Sequence, residues 1–190
     1  MSEYLDIVDE RGIPTGEIVE RKKAHREGIR HRTAHLWICR IHDGTLQLLL
    51  QKRSADKDSF PGCYDISSAG HIPAGVEWIP SALRELKEEL GIDARPEQLI
   101  LCGQRSFHLD EVFYGERFID EQVTNVYMMW LDLPESAFTP QPEEVSEVKW
   151  FDCSEVLSSR LNPEFPNCIV PEEVLLVRGT ANVKSPRNGD

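Results

Sequence analysis

Nowhere in the sequence does an apolar run approach the ~18 residues that a membrane-spanning helix needs. The start, MSEYLDIVDE, also lacks the basic region and apolar stretch of a secretory signal. A cytoplasmic protein with no membrane association is the expectation. Paired cysteine spacings are missing too: Cys39, Cys63, Cys102, Cys153 and Cys168 are odd in number and include no C-x-x-C. That argues against a disulfide framework and a cysteine zinc site, and for reduced thiols. Repeats and low-complexity segments are absent, so nothing indicates a solenoid. Positive charge is in deficit, with 21 Lys and Arg against 33 Asp and Glu. The resulting net charge of -12 disfavours binding to a nucleic acid polymer or an anionic lipid surface.

What is present is a chain of 190 residues, 40% apolar and 28% charged, long enough for one well-buried core. A single domain over residues 1–178 is expected, followed by a disordered tail at 179–190 (GTANVKSPRNGD). LDIVDERGIPTGEIVER reads as two short strands around a Gly/Pro turn, followed by the basic stretch KKAHREGIRH. RTAHLWICRI and TLQLLLQKR form a predicted hairpin around His42, Asp43 and Gly44, and YDISSAG a further short strand. A helix is predicted from about Pro80 to Leu90, with proline in its first turn and Gly91 just beyond its end. LILCGQRSF, VTNVYMMWL and EVKWF read as strands, and SEVLSSR and PEEVLLVR as short helices. The sum is a mixed sheet flanked by helices, of α+β class.

Charge is unevenly distributed. Residues 21–58 hold ten of the Lys and Arg against Glu27, Asp43, Asp56 and Asp58, a net +6, while the remainder carries -18. Such polarity suits a cationic rim beside an acidic, metal-collecting pocket, and Arg30, Lys52, Arg53 and Lys57 are the cations expected to meet a phosphorylated substrate. In the predicted central helix Glu85, Glu88 and Glu89 stand at i, i+3 and i+4, so three carboxylates share one face, while Leu83, Leu86 and Leu90 line another. Taken alone, a solvated acidic face is the favoured reading of these three acids.

The surroundings sharpen that reading. Gly70-His-Ile-Pro-Ala-Gly75 followed by Arg84-Glu-Leu-Lys-Glu-Glu-Leu-Gly-Ile92 resembles the signature of the Nudix hydrolases over 23 residues. Gly70, Arg84, Glu85, Leu86, Glu88, Glu89, Gly91 and Ile92 fall at matching positions, while the first signature glutamate is replaced by Val76, with Glu77 one residue late. The resemblance implies the Nudix fold, an α/β/α sandwich, and metal-dependent cleavage of a phosphoanhydride in a nucleoside diphosphate-type or other small organic diphosphate. It also implies that Glu85, Glu88 and Glu89 hold Mg²⁺ or Mn²⁺, that Arg84 orients a carboxylate such as Glu88, and that Gly70 lies at the substrate. Carboxylates suit such hard cations, which neutralise charge on phosphoryl oxygens. The general base is a helix glutamate or one from a later loop, where Glu143 and Glu144 are the candidates and Glu144 the choice.

A second resemblance covers roughly residues 1–150. LDIVDERGIPTG, AHREGIRH, LLLQKR, DSFPGCYDISSAGH and EQVTNVY look like isopentenyl-diphosphate isomerase, which shares the Nudix fold, and make residues 1 to about 30 an isomerase-like N-terminal extension. The two proton-transfer groups of that enzyme are absent: its cysteine falls on Ala69 and its glutamate on Gln122, with Glu121 available only by a one-residue slip and Cys63 the nearest thiol. Its histidine metal site matches His25, His31 and His71, with Asp120 in place of one glutamate, a second candidate metal set. His35, His42 and His108 have no evident partner. Three functions stay open: a diphosphate hydrolase, an isoprenoid diphosphate isomerase, and a diphosphate-binding module without catalysis. The oligomeric state is open as well, a homodimer included.

Overall fold

The computed structural model describes residues 3–57, 59–159, 162 and 164–185. In chain order its strands and α-helices are β1 (Tyr4–Val8), β2 (Pro14–Glu20), α1 (Arg21–Glu27), β3 (His31–His42), β4 (Thr45–Arg53), β5 (Tyr64–Asp65), β6 (Ser68–His71), α2 (Trp78–Leu90), β7 (Ile100–Phe113), β8 (Glu116–Trp130), β9 (Val145–Asp152), α3 (Cys153–Ser158) and α4 (Pro171–Lys184). β1 and β2 pair as a separate antiparallel hairpin. The main sheet runs β5-β4-β3-β8-β7, with β6 alongside β3 and β9 alongside β4. β3 and β8 are parallel and the other pairs antiparallel, so the sheet is mixed and the fold is α+β.

Turn chemistry sets the first long hairpin. Asp43 and Gly44 both take positive φ, 49° and 75°, which closes a two-residue turn between β3 and β4. These strands pair only from Cys39 to His42 and then diverge, so that β6 fills the place beside β3 and β5 the place beside β4. Ser67 sits in the fork: its hydroxyl accepts from the Ile38 amide at 2.7 Å and donates to the Leu49 carbonyl at 2.6 Å. YDISSAG is therefore two strands rather than one, because a side chain substitutes for the ladder where the partners separate.

Strand alternation gives the sheet two apolar faces. Ala34, Leu36, Ile38 and Met129 pack on Ala82, Leu86 and Leu90 of α2. Trp37, Cys39, Val126 and Met128 pack on Val156 of α3 and Val174, Val177 and Ala181 of α4. Helices thus cover both faces. Two boundaries differ from the sequence reading. α2 begins at Trp78, not Pro80, since Pro80 occupies its first turn without needing an amide hydrogen bond. The expected tail from Gly179 is helical as far as Lys184, because Ala181 is buried in the core and the Trp130 indole N–H donates to the Lys184 carbonyl at 3.0 Å. Residues 186–190 of that tail lie outside the described residues.

The loop before α2 is tied to the N-terminal hairpin by one buried ion pair. The Arg32 guanidinium donates to the Asp6 carboxylate at 2.8 Å and to the Val76 carbonyl at 3.0 Å, and lies 5.3 Å from the centre of the Trp78 ring. Asp6 also accepts from the Gly75 amide at 2.9 Å. Val76 itself packs on the core beside α2. Asp6→Ala strands a buried guanidinium and should cost ~3–5 kcal/mol. Urea unfolding should show a lower midpoint at unchanged m, and Asp6→Ala with Arg32→Met should cost less than the two single changes added together.

Candidate active site

α2 leans on β6, which pairs only with β3 among the described residues, so its outer edge offers amides. Glu89 takes one of them, its carboxylate accepting from the Ala69 N–H at 3.2 Å. Burial pushes the Glu89 carboxyl up to about 8, and burial also raises Glu85 above its ordinary range. Gly70 is glycine for a steric reason, since a Cβ there would collide with the Glu85 side chain. Arg84 donates to Glu85 at 2.6 Å and to Glu88 at 2.9 Å, fixing two of the three acids from outside. The acids therefore present hard oxygen donors to one cavity of about 800 Å³. Glu77 does not belong to it: it is exposed, stands at the N-cap of α2 without a capping hydrogen bond, and does not line the cavity.

A second cluster lies on the same cavity. The basic stretch before β3 is the helix α1, which ends at Gly28 with φ 66°. A Cβ there would stand 2.8 Å from Ile119 Cγ2, and the left-handed turn brings His31 back beside His25. His25, His31 and His71 hold ring nitrogens within 4.8 Å of one another. His25 Nε2 lies 3.1 Å from His71 Nε2, and His31 Nε2 lies 3.6 Å from Asp120 Oδ1. His31 Nδ1 donates to the Ile29 carbonyl at 2.9 Å, which leaves the Nε2 lone pair free. Gln122 Nε2 donates to Asp120 Oδ2 at 2.9 Å and aims Oδ1 at the histidines. Both His31 Nε2 and Asp120 Oδ1 are buried with no hydrogen-bond partner among the described residues. Burial lowers all three imidazoles, His25 to about 3, so each is neutral and can act as a ligand.

The rim cations divide. Arg53 and Lys57 line the cavity, Arg53 donating to Asp65 at 3.0 Å and Lys57 paired with Glu144, which lies on the same rim. Arg30 and Lys52, expected to meet the substrate, do not line it. Arg30 is turned to Glu121 at 2.8 Å, and Lys52 lies 3.7 Å from Glu147 and over the Tyr64 ring. For Arg30 the cause is parity: its partner Glu121 is flanked by Asp120 and Gln122, which point inward, whereas Lys52 stands where the register of β4 against β9 shifts. That parity also removes Glu121 as a stand-in for the isomerase glutamate, since it is held outside by Arg30 and by His108 at 2.7 Å.

Sequence reasoning missed one element of the site. His35 lines the cavity, and its Nδ1 lies 2.9 Å from Oε1 of Glu173 in the first turn of α4. Glu173 is 1% exposed and also accepts from Trp37 Nε1 at 3.2 Å, with Arg105 Nε 3.3 Å away. An acid in the first turn of an otherwise apolar helix face was the available signal, but nothing local identifies a partner 138 positions away.

Residues 30–171 match the NUDIX domain family. Among curated proteins the chain is 42% identical over 156 residues to Nudix hydrolase 3 of Arabidopsis thaliana, covering 78% of this chain and 19% of that protein. It is 39% identical over 143 residues to an uncharacterized Nudix hydrolase of Clostridium acetobutylicum, covering 75% of this chain and 66% of that one. The chain thus spans less than two thirds of the length of both. Among solved structures, DR0079 from Deinococcus radiodurans shares the fold with a TM-score of 0.64 and 23% identity, covering 93% of this chain and 98% of that one. The NUDIX domain of Shewanella oneidensis NrtR, complexed with ADP ribose, has a TM-score of 0.57 at 20% identity, covering 78% and 86%.

The Glu173–His35 pair makes stability depend on pH. Burial alone would lower His35, but the charge of Glu173 and its hydrogen bond raise the imidazole above 6.5; burial alone would raise Glu173, but His35 brings it below 4.5. The histidine's contribution is full below 6.5 and fades as pH rises through its folded value, whereas the carboxylate's is full above 4.5 and fades as pH falls through its own. The stability difference between the natural chain and Glu173→Gln should be largest between these two values and shrink on either side, as measured by urea unfolding across pH.

Proposed function

The chain belongs to the Nudix hydrolase family, and on that footing we propose that it hydrolyses a phosphoanhydride bond in a small organic diphosphate, nucleoside diphosphate derivatives included. The observation that carries this reading is the face of α2: Glu85, Glu88 and Glu89 beside Arg84, opening on the cavity next to a glycine that only Glu85 explains. Members of the family generally use divalent metal ions, and an all-carboxylate donor set suits Mg²⁺ or Mn²⁺. When bound, such an ion supplies neutralisation of charge on the phosphoryl oxygens. The protein's own groups do the rest. Arg84 keeps two carboxylates in place, Ala69 fixes the third, and Arg53 and Lys57 form a cationic rim. The proton of the attacking water goes to a carboxylate, a role we assign to Glu144, which lines the cavity and pairs with Lys57.

Within the family we assign the chain to an isomerase-like subgroup, on its N-terminal hairpin and histidine cluster, but to hydrolysis rather than isomerisation. Ala69 has no proton to give, and Gln122 is engaged with Thr33 and Asp120. The direct test is a screen of nucleoside diphosphates, ADP-ribose and isopentenyl diphosphate with Mg²⁺ and Mn²⁺, following phosphate, pyrophosphate and nucleotide release. Glu88→Gln and Glu89→Gln should each lower turnover ~10²–10⁴-fold, whereas Glu77→Gln should lower it less than ~10-fold. Full activity in a folded Glu88→Gln, Glu89→Gln double variant would refute the assignment.

We further propose that His25, His31, His71 and Asp120 hold a second, softer cation. Two buried, facing and unpartnered ligand atoms, His31 Nε2 and Asp120 Oδ1, favour it, and three neutral imidazoles with one carboxylate suit a transition metal. Cobalt(II) titration of the natural chain should show one equivalent with visible d–d bands. The bands should vanish in His31→Gln and persist in Glu88→Gln, whose carboxylate belongs to the other cluster.

A further inference from the structure

We infer that His35 and Arg105 form an anion subsite on the cavity wall, built to hold a phosphate group of the substrate. The inference rests on the diphosphate-hydrolase reading and adds to it two residues that no sequence motif marks. His35 spends Nδ1 on Glu173, and its Nε2 makes no hydrogen bond among the described residues although the ring lines the cavity. Arg105 lines the same wall, and its guanidinium makes no hydrogen bond among the described residues, with Nε 3.3 Å from Glu173. Its guanidinium sits 4.9 Å from the centre of the Phe107 ring, which holds it flat against the wall. The imidazole Nε2 and the guanidinium thus keep donor capacity with no protein acceptor among the described residues.

Charge points the same way. Glu173 is a single carboxylate facing an imidazole and a guanidinium, and with the imidazole protonated one positive charge is left over at the wall. The carboxylate favours that protonated form, since it holds the His35 pKa above its ordinary value despite burial. Most of the other cavity cations are committed: Arg21 to Glu3, Arg53 to Asp65, Lys57 to Glu144, and Arg84 to Glu85 and Glu88, while Lys22 on α1 has no ion pair among the described residues. A planar guanidinium beside an imidazolium matches phosphate oxygens, and charge-assisted bonds of this type are the strong ones.

Position connects the subsite to the proposed chemistry. His35 is in register with Ala69 on the neighbouring strand, so the two side chains share a face, and the His35 side chain keeps 16% exposure. The Ala69 amide is the one that donates to Glu89. The subsite is therefore one strand away from the acids of α2. The subsite and those acids line one cavity, which makes His35 and Arg105 substrate-orienting groups.

The test uses inorganic phosphate as the probe, on the full chain freed of metal with EDTA, so that neither turnover nor metal loading enters the result. The His35 ring nitrogens, followed by NMR during a phosphate titration, should shift saturably. In Arg105→Met the phosphate dissociation constant read from those signals should rise at least tenfold. Should that variant unfold, Arg105→Lys keeps a cation beside Glu173 and should still weaken phosphate at least threefold. In steady-state hydrolysis of whichever diphosphate is turned over, His35→Gln should raise KM at least tenfold with kcat within threefold. His35 signals that do not move with phosphate, or that move identically in the Arg105 variants, would overturn the inference. Phosphate binding at His35 with no turnover of any diphosphate would instead leave the subsite standing and count against the hydrolase reading.

Discussion

The buried pairing of Arg32 with Asp6 is the constraint on which the candidate active site depends. One guanidinium reaches a carboxylate of the N-terminal hairpin, a carbonyl of the loop before α2 and the face of the first tryptophan of that helix. It therefore locks together three segments whose backbones also meet, the Ala74 amide donating to the Tyr4 carbonyl at 2.8 Å and the Ile72 amide to the Arg32 carbonyl at 3.1 Å. A buried pair of this kind adds little net stability over an apolar replacement, but it is intolerant of losing one partner, and so it selects a single arrangement. The start of α2 is fixed by that arrangement, and the direction of its acidic face follows from where it starts. This also accounts for Val76. Where the family signature carries a supporting glutamate, this chain packs an apolar side chain on the core and holds the loop through its backbone carbonyl and the Gly75 amide.

The cavity exists because α4 covers only part of one sheet face. Along β3 the inward side chains run His31, Thr33, His35 and Trp37; α4 packs on Trp37, and the wall beyond it is polar and open. Two donor sets of opposite character then share that opening. The carboxylates of α2 are raised by burial and suit hard cations, whereas the histidines around Asp120 are driven neutral by the same burial and suit softer ones. Glu173 closes the boundary between core and cavity, since the residue that seals the apolar side through Trp37 also orients His35 on the open side.

Much of this arrangement was written in local order along the chain. The i, i+3, i+4 spacing of Glu85, Glu88 and Glu89 places them on one face in any α-helix, and Gly91 ends that helix because its φ of 71° costs a glycine nothing. Asp43-Gly44 closes a tight hairpin for the same kind of reason, and the β-rich runs on either side became strands. These features depend on dihedral preferences and on periods of 3.6 and 2, which a sequence carries in itself. So did the signature that marked Gly70 and the acids as one unit.

Other features depend on which distant segments come to lie side by side, and no period encodes that. Arg30 and Lys52 looked like substrate contacts by charge, but pairing with Glu121 and Glu147 holds them away from the cavity. The stretch from Gly179 looked like a polar tail, but burial of Ala181 and the bond from Trp130 carry the helix on to Lys184. His35 had no visible partner until α4 brought Glu173 to it across 138 positions. The sequence by itself determined the family, the acidic helix and the elements around it, because each is set by neighbours within a few residues. Only the tertiary structure decided which cations face the cavity and that His35 and Arg105 share one carboxylate, because burial and pairing between remote segments settle those matters.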